Sequence, residues 1–196
     1  MSAIRISSAA VYCGSNLGTD PAYAQAATSL GRTLAEQGIR LVYGGGHVGL
    51  MGAVADAVIQ HGGEAHGVIT EALQAKEIAH EGLTSLKVVK TMHERKAAMA
   101  DAADAFIMLP GGFGTFDELF GILTLIQNEK IPRVPVILMG RDFWEPLHEF
   151  IKISMFENHA SIDKSDMKLY TITDKVEEAL AIIKNAPISD WWEQTD

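Results

Sequence analysis

Apolar residues along this chain fall into two repeating patterns, short unbroken runs and longer stretches with helical spacing. The short runs predict buried strands, and the longer stretches predict amphipathic helices. Strands are predicted at residues 9–15, 39–43, 65–70, 86–89, 105–109, 134–140 and 168–172. Helices are predicted at residues 20–37, 91–103, 116–129, 143–157 and 174–184, and between Gly46 and about Gln60. The alternation predicts a doubly wound α/β fold, a Rossmann-like parallel sheet with helices on both faces.

We expect residues 1–196 to form a single domain, because no repeat, low-complexity tract or linker interrupts the pattern. The first helix has clear boundary signals. Asp20 suits the N-cap, Pro21 suits the first helical position, and Gly38 follows the expected end. Residues 71–83 carry no clear pattern of either kind.

The predicted fold has one edge at which ligands bind, beyond the carboxyl ends of its parallel strands. Four loops are predicted to leave strands at that edge, at residues 14–16, 44–49, 91–96 and 110–118. These loops are distant in sequence, yet the topology brings them to one side of the sheet. We therefore expect the functional site there. Candidate binding residues in the first two loops are Ser15, Gly45 and Gly46.

Composition and charge narrow the class of ligand. Hydrophobic residues make up 47% of the chain and the formal net charge is −9, which disfavours a nucleic-acid or acidic membrane surface. No run of apolar residues is long enough for a membrane-spanning helix, and the N-terminal run predicts a strand rather than a signal peptide. Cys13 is the only cysteine, which fits a reducing compartment, and we expect a cytoplasmic protein.

Two of the four loops are rich in glycine and run from a predicted strand into a predicted helix. Gly44, Gly45 and Gly46 follow the second strand, and residues 110–115 read "PGGFGT". Glycine permits close approach of backbone N–H groups, and a helix N-terminus favours negative charge, so both loops suit a phosphate group. Tight packing of strand on helix is the alternative explanation. The spacing only approximates the dinucleotide fingerprint and no ribose-binding acid follows, which disfavours a nicotinamide-dependent enzyme.

The pattern T-x-x-E occurs twice beside these loops, at residues 91–94 and 115–118. It is typical of a capping box, in which the glutamate side chain accepts a hydrogen bond from the N-cap backbone. Capping is therefore one explanation for both Glu94 and Glu118. Asp117 equally suits the first turn of a helix because of the helix dipole.

Arg95 and Lys96 do not fit that explanation. Two cations in the first turn of a helix oppose its dipole. At a ligand-binding edge, however, they would meet an anionic substrate and a partner carboxylate. A buried Glu118 would also need a nearby cation to stay ionised, and Arg95 is the obvious one.

Several motifs now resemble a known family. Residues 110–118, "PGGFGTFDE", fit the pattern PGGxGTxxE, and residues 92–96, "MHERK", fit an arginine-bearing motif upstream. Together with "YCGS", "YGGGHVGLMG" and "GVIT", they resemble the LOG (Lonely Guy) proteins, cytokinin riboside 5'-monophosphate phosphoribohydrolases that were formerly labelled lysine decarboxylases. The resemblance covers most of the chain. It implies hydrolysis of the N-glycosidic bond of adenosine 5'-monophosphate or an N6-substituted form, releasing free base and ribose 5-phosphate.

The resemblance also implies roles for individual residues. Arg95 and Glu118 would be catalytic, and the glycine-rich loop before Glu118 would hold the nucleotide phosphate. Some family members have glutamate in place of Asp117. The substrate-binding residues implied are Glu77, Lys96, Gly111, Gly112, Phe113, Gly114, Thr115, Phe116, Asp117 and Thr124. A homodimer is implied as well, and the apolar segment at residues 119–126 is consistent with a subunit interface.

Other functions remain open from the sequence. A non-catalytic nucleotide-binding or carrier module of the same fold is the main alternative. A lysine decarboxylase would need pyridoxal phosphate and a Schiff-base lysine, and nothing marks a lysine for that role. The histidine spacing suggests no metal site, and we expect neither a metal nor a cofactor. Near the C-terminus, Trp191 and Trp192 suggest either a docking segment or packing onto the domain itself.

Overall fold

A computed structural model describes residues 6–76 and 79–186 of the chain. Within these ranges, seven strands form one sheet in which every pairing is parallel, in the order β4-β3-β2-β1-β5-β6-β7. The strands are β1 (Ser8–Tyr12), β2 (Arg40–Tyr43), β3 (Ala65–Thr70), β4 (Ser85–Val89), β5 (Ala105–Met108), β6 (Val136–Met139) and β7 (Thr171–Thr173). The predicted doubly wound parallel sheet is confirmed.

Seven α-helices connect and cover these strands within the described ranges. They are α1 (Pro21–Glu36), α2 (Gly49–Gln60), α3 (Glu71–Gln74), α4 (Met92–Asp101), α5 (Phe113–Gln127), α6 (Arg141–Phe150) and α7 (Val176–Lys184). The short α3 lies in the segment at residues 71–83, which carries no clear pattern of apolar residues. The amphipathic stretch predicted at residues 143–157 begins as α6 and continues as a π-helical segment, Ile151–Asn158.

Side chains of alternate strand residues fill two separate cores on the two faces of the sheet. Ala9 and Val11 pack on one face, together with α1, α2 and α7. Ala10 and Tyr12 point to the other face and pack with α4, α5 and α6. Because β1 is flanked by β2 on one side and β5 on the other, the chain reverses its winding direction there. A crevice for ligands opens at such a point.

The ends of α1 follow the signals that the sequence predicted. The Asp20 side chain accepts a hydrogen bond from the Ala22 backbone N–H at 2.8 Å, and Pro21 is the first helical residue. Gly38, with φ of +66°, follows the helix in the left-handed conformation that favours glycine. Among the described helices, none has the length and apolar character that crossing a membrane requires.

Candidate active site

The four predicted loops converge at the carboxyl edge of the sheet. Backbone hydrogen bonds lock the loop after β1 to its neighbours on both sides, since the Gly14 N–H donates to Pro110 and the Gly14 carbonyl accepts from the Leu50 N–H. The two distances are 3.0 and 3.1 Å. Between the loops lies a cavity of about 310 Å³. Its lining comprises Val11, Tyr12, Cys13, Gly14, Ser15, Gly44, Met51, Leu73, Met92, Arg95, Gly112, Phe113, Gly114, Thr115 and Glu118.

Arg95 and Glu118, which both line this cavity, form an ion pair. Arg95 Nη1 donates to Glu118 Oε1 at 3.3 Å, and only 9% of either side chain is exposed. Arg95 Nε also donates to the backbone carbonyl of Val68, in β3, at 2.9 Å. The guanidinium is therefore held by two elements, and it directs one edge toward the carboxylate of α5. The sequence-based pairing of these two residues is realised in the structure.

Burial governs the protonation of Glu118. The pKa of its carboxyl is raised to about 7, mainly because burial removes solvent, and the nearby Asp117 carboxylate contributes to the rise. The Arg95 and Lys96 cations oppose this rise but do not cancel it. Since an unperturbed glutamate has a pKa of about 4.3, the site holds a carboxyl group that changes charge near neutral pH. Groups of this kind are typical of acid–base and electrostatic catalysis.

The N-terminus of α5 opens directly onto the cavity. The N-cap is Gly112, no side chain caps it, and the helix begins at Phe113. The capping box predicted at residues 115–118 is therefore wrong, because Thr115 already lies inside the first turn. Glu118 instead pairs with Arg95, and the first N–H groups of the helix lack hydrogen-bond partners within the helix. Such a helix start is a ready anion-binding site.

The matching pattern at residues 91–94 does form the predicted capping box. The Glu94 N–H donates to Thr91 Oγ1, and the Glu94 carboxylate accepts from the Thr91 N–H, both at 3.1 Å. This box sets the start of α4, and it places Arg95 one turn into the helix, where its side chain reaches β3 and Glu118.

Comparison with known proteins identifies the family. The family described as "Possible lysine decarboxylase" matches residues 51–183. A cytokinin riboside 5'-monophosphate phosphoribohydrolase of Rhodococcoides fascians is 40% identical over 179 residues, which cover 91% of this chain and 89% of that protein. The rice protein of the same name, LOG, is 46% identical over 154 residues, which cover 78% and 63% of the two chains. This chain belongs to the LOG family.

Solved structures support the fold. A molybdenum cofactor binding protein from Rippkaea orientalis superposes with a TM-score of 0.70 at 20% identity, and the match covers 93% of this chain and 98% of that one. The molybdenum cofactor carrier protein of Chlamydomonas reinhardtii gives 0.68 at 20% identity, over 92% and 97% of the two chains. At this identity the likeness shows a shared fold alone.

A second depression of about 440 Å³ lies beside the first cavity, on the face where α4 and α5 meet. Tyr12 and Glu118 line both cavities. Lys96 Nζ binds both carboxylate oxygens of Asp117 at 2.9 Å, and these two residues line the second depression together with Thr124. These three predicted binding residues therefore line the second depression and not the first.

The remaining predicted binding residues differ in placement. Ser15, Gly112, Phe113, Gly114 and Thr115 line the first cavity. Gly45, Gly46, Gly111 and Phe116 are not part of its lining. Of these, Gly46 forms an isolated antiparallel β-bridge with Ala79, and the Phe116 ring packs against the rings of Phe143 and Trp144. Glu77, Trp191 and Trp192 lie outside the described residues.

Sequence reasoning missed several residues that line the cavity. Tyr12 is the last residue of β1, Leu73 lies in α3, and Met92 is the first residue of α4. The prediction placed Tyr12 inside the strand at residues 9–15 rather than at its end, so its position gave no usable signal. Leu73 carried none, because it lies in the segment without a pattern.

Proposed function

We propose that this protein hydrolyses the N-glycosidic bond of an adenosine 5'-monophosphate, plain or N6-substituted, and releases the free base and ribose 5-phosphate. The observation that carries the proposal is the buried Arg95–Glu118 pair, 3.3 Å apart, beside the uncapped N-terminus of α5. An uncapped helix start, which suits a phosphate group, and a carboxyl group with a pKa of about 7 line the same cavity. The phosphoribohydrolase relatives in the family support the same activity.

The nucleotide would bind with its parts at different walls of the cavity. Its phosphate would lie on the backbone N–H groups at the start of α5, and its ribose would face Glu118. The base would then lie toward the apolar side chains of Leu73 and Met92. Binding the phosphate at a remote wall would align the sugar for attack.

Cleavage of this bond develops positive charge on the ribose, as in glycoside hydrolysis. The Glu118 carboxylate would stabilise that charge and would orient or deprotonate the attacking water. Arg95 would hold the carboxylate in place through its Nη1 hydrogen bond, while the Val68 carbonyl fixes the guanidinium.

A product assay tests the function. Purified protein is incubated with adenosine 5'-monophosphate and, separately, with N6-isopentenyladenosine 5'-monophosphate, and free base and ribose 5-phosphate are measured by chromatography. Release of base establishes the hydrolase, and the ratio of the two rates gives its preference. Binding of both nucleotides without release of base would favour the carrier module instead.

The activity of the free enzyme is expected to rise with pH through about 7. Burial raises the Glu118 pKa to about 7, so the carboxylate that the reaction needs is lost below that pH. The value of kcat/KM should therefore fall about tenfold per pH unit below this midpoint and level off above it. Initial rates at low substrate, measured from pH 5 to pH 8.5, give the profile. A profile that stays flat over this range would contradict a titrating Glu118.

We propose a homodimer formed through the face where α4 and α5 meet. Ala97, Ala100, Phe120 and Leu125 line this face, and Phe120 is 37% exposed. Phe120→Asp is expected to convert the dimer to a monomer, because it places a charge in the apolar interface. Sedimentation equilibrium measures the mass. Phe150→Asp is the matched control, since Phe150 is more exposed and lies on α6; an equal loss of mass from both variants would contradict the assignment.

We also propose the cytoplasm as the site of action. The Cys13 thiol is free and buried, a state suited to a reducing compartment. Fractionation of the source cells, followed by immunodetection, tests this location.

A further inference from the structure

Gly44 is the first residue after β2, and it lines the cavity beside Arg95. Its backbone does not adopt the left-handed conformation, whereas the next residue, Gly45, has φ of +80°. A residue with a side chain could therefore adopt the backbone conformation of Gly44 without strain. The requirement for glycine at this position must lie in the space around its Cα atom.

That space is occupied by Arg95. A Cβ atom added to Gly44 would overlap Nη2 of the guanidinium, and it would lie 3.0 Å from Sδ of Met51. The Nη2 end of the guanidinium thus points at the bare backbone of the loop between β2 and α2. With a methyl group at position 44, either the guanidinium or the loop would have to move.

Two hydrogen bonds hold the guanidinium in this position. Its Nε donates to Val68 at 2.9 Å, its Nη1 donates to Glu118 at 3.3 Å, and the side chain is 9% exposed. Gly44 lies against a third side of the guanidinium. A displacement that relieves the overlap would lengthen at least one of these two hydrogen bonds, and the bond to Glu118 is already the longer.

We propose that Gly44 is a positioning residue, whose missing side chain lets the Arg95 guanidinium lie within reach of both Val68 and Glu118. This inference rests on the proposed function for the role of Arg95 in turnover. The placement of the guanidinium is a separate claim, which can be measured without turnover.

Gly44→Ala is expected to lower kcat for N6-isopentenyladenosine 5'-monophosphate about 10- to 100-fold, because small misplacements of catalytic groups have effects of this size. KM should change less than about threefold, because the proposed phosphate site at the start of α5 is untouched. A rise in KM with kcat unchanged would mean that the methyl group only obstructs the substrate, and the proposal would be overturned.

A double-mutant cycle with Arg95→Lys separates positioning from other roles of Gly44. Lysine lacks Nη2, so Gly44→Ala should cost less than about twofold in kcat in the Arg95→Lys background. An equal cost in both backgrounds would overturn the proposal. Met51→Ala serves as the matched control for the second close contact. It should leave the Gly44→Ala defect in place, and recovery of kcat there would assign the effect to Met51 instead.

A titration of the Glu118 carboxyl tests the placement directly. In protein with ¹³C-labelled glutamate, the carboxyl resonance of Glu118 is assigned by its loss in Glu118→Gln and followed with pH. Since the guanidinium lowers this midpoint, Gly44→Ala should raise it by about half a pH unit or more. An unchanged midpoint would overturn the proposal even if kcat fell. If the wild-type protein releases no base, the proposed function fails, and this titration still decides the placement of Arg95.

Folding of the variant is checked by thermal unfolding. If Gly44→Ala lowers Tm in the wild-type background, it should lower Tm much less in the Arg95→Lys background, because lysine removes the overlap. A loss of Tm that is equal in both backgrounds would show that Gly44 serves the loop itself, which contradicts the proposal.

Discussion

Glu118→Gln is expected to reduce kcat by about a thousandfold or more, because removing a single electrostatic contact to the transition state has effects approaching this size and glutamine cannot act as a base. Nucleotide binding should change little. Glutamine has the shape of glutamate, and its Oε1 can still accept the Arg95 hydrogen bond. Single-turnover kinetics with N6-isopentenyladenosine 5'-monophosphate measure the chemistry, and equilibrium dialysis measures the binding.

The same substitution should make the protein more stable at neutral and alkaline pH. The Glu118 pKa is about 7 in the folded protein and near 4.5 when unfolded, so the folded state holds the proton more tightly. The contribution of Glu118 to the free energy of unfolding of the wild type therefore falls as pH rises from about 4.5 to 7, and it is constant above. The variant escapes this loss. Its free energy of unfolding should equal that of the wild type near pH 4 and exceed it by at most about 3 kcal/mol above pH 7. Urea unfolding measures the difference.

Glu94→Gln is the matched control for this prediction. Glu94 lies in the other T-x-x-E pattern, where its side chain serves the capping box of α4, and glutamine serves the same cap. Turnover should stay within about twofold of the wild type. If Glu118→Gln kept its turnover, Glu118 would not be the reacting carboxylate. If it instead lost its fold, the carboxylate would have a structural role.

Arg95→Met is expected to abolish activity and to destabilise the protein. It leaves the Glu118 carboxyl buried without its cation and leaves the Val68 carbonyl without its donor. Removing one partner of a buried ion pair lowers the free energy of unfolding by about 3–5 kcal/mol. For a chain of this size, Tm would fall by roughly 10 °C. Thermal unfolding at pH 8 measures the loss.

The pH dependence identifies the cause of that loss. Without the guanidinium, the Glu118 pKa rises further, so the deficit should be smaller at pH 5.5, where the carboxyl is protonated, than at pH 8. In the double variant Arg95→Met/Glu118→Gln, stability at pH 8 should largely recover while activity stays lost. A deficit that is the same at both pH values, or that the double variant keeps, would show that lost packing rather than the unpaired carboxylate is responsible.

The two T-x-x-E patterns show where sequence reasoning reached its limit. Residues 91–94 and 115–118 share the pattern T-x-x-E, which is typical of a capping box at both places. The box forms only at Thr91. At the second pattern the helix begins earlier, because Gly112 ends the loop and Gly111 packs so closely on Thr115 that a Cβ there would overlap its Oγ1. That contact depends on the fold of the loop, and no local pattern contains it.

The alternation of apolar runs by itself determined the parallel sheet, the helices on its two faces and the edge where the loops converge, because burial on both faces imposes that pattern on any sequence. The loop and helix motifs determined that Arg95 and Glu118 belong together. Only the tertiary structure decided that these two side chains meet in a buried pair, and that desolvation raises the Glu118 pKa to about 7. It alone placed Lys96, Asp117 and Thr124 in the second depression, and it alone gave Gly44 its contact with Arg95. Distances between residues remote in sequence, and the solvent lost around them, exist only once the chain has packed.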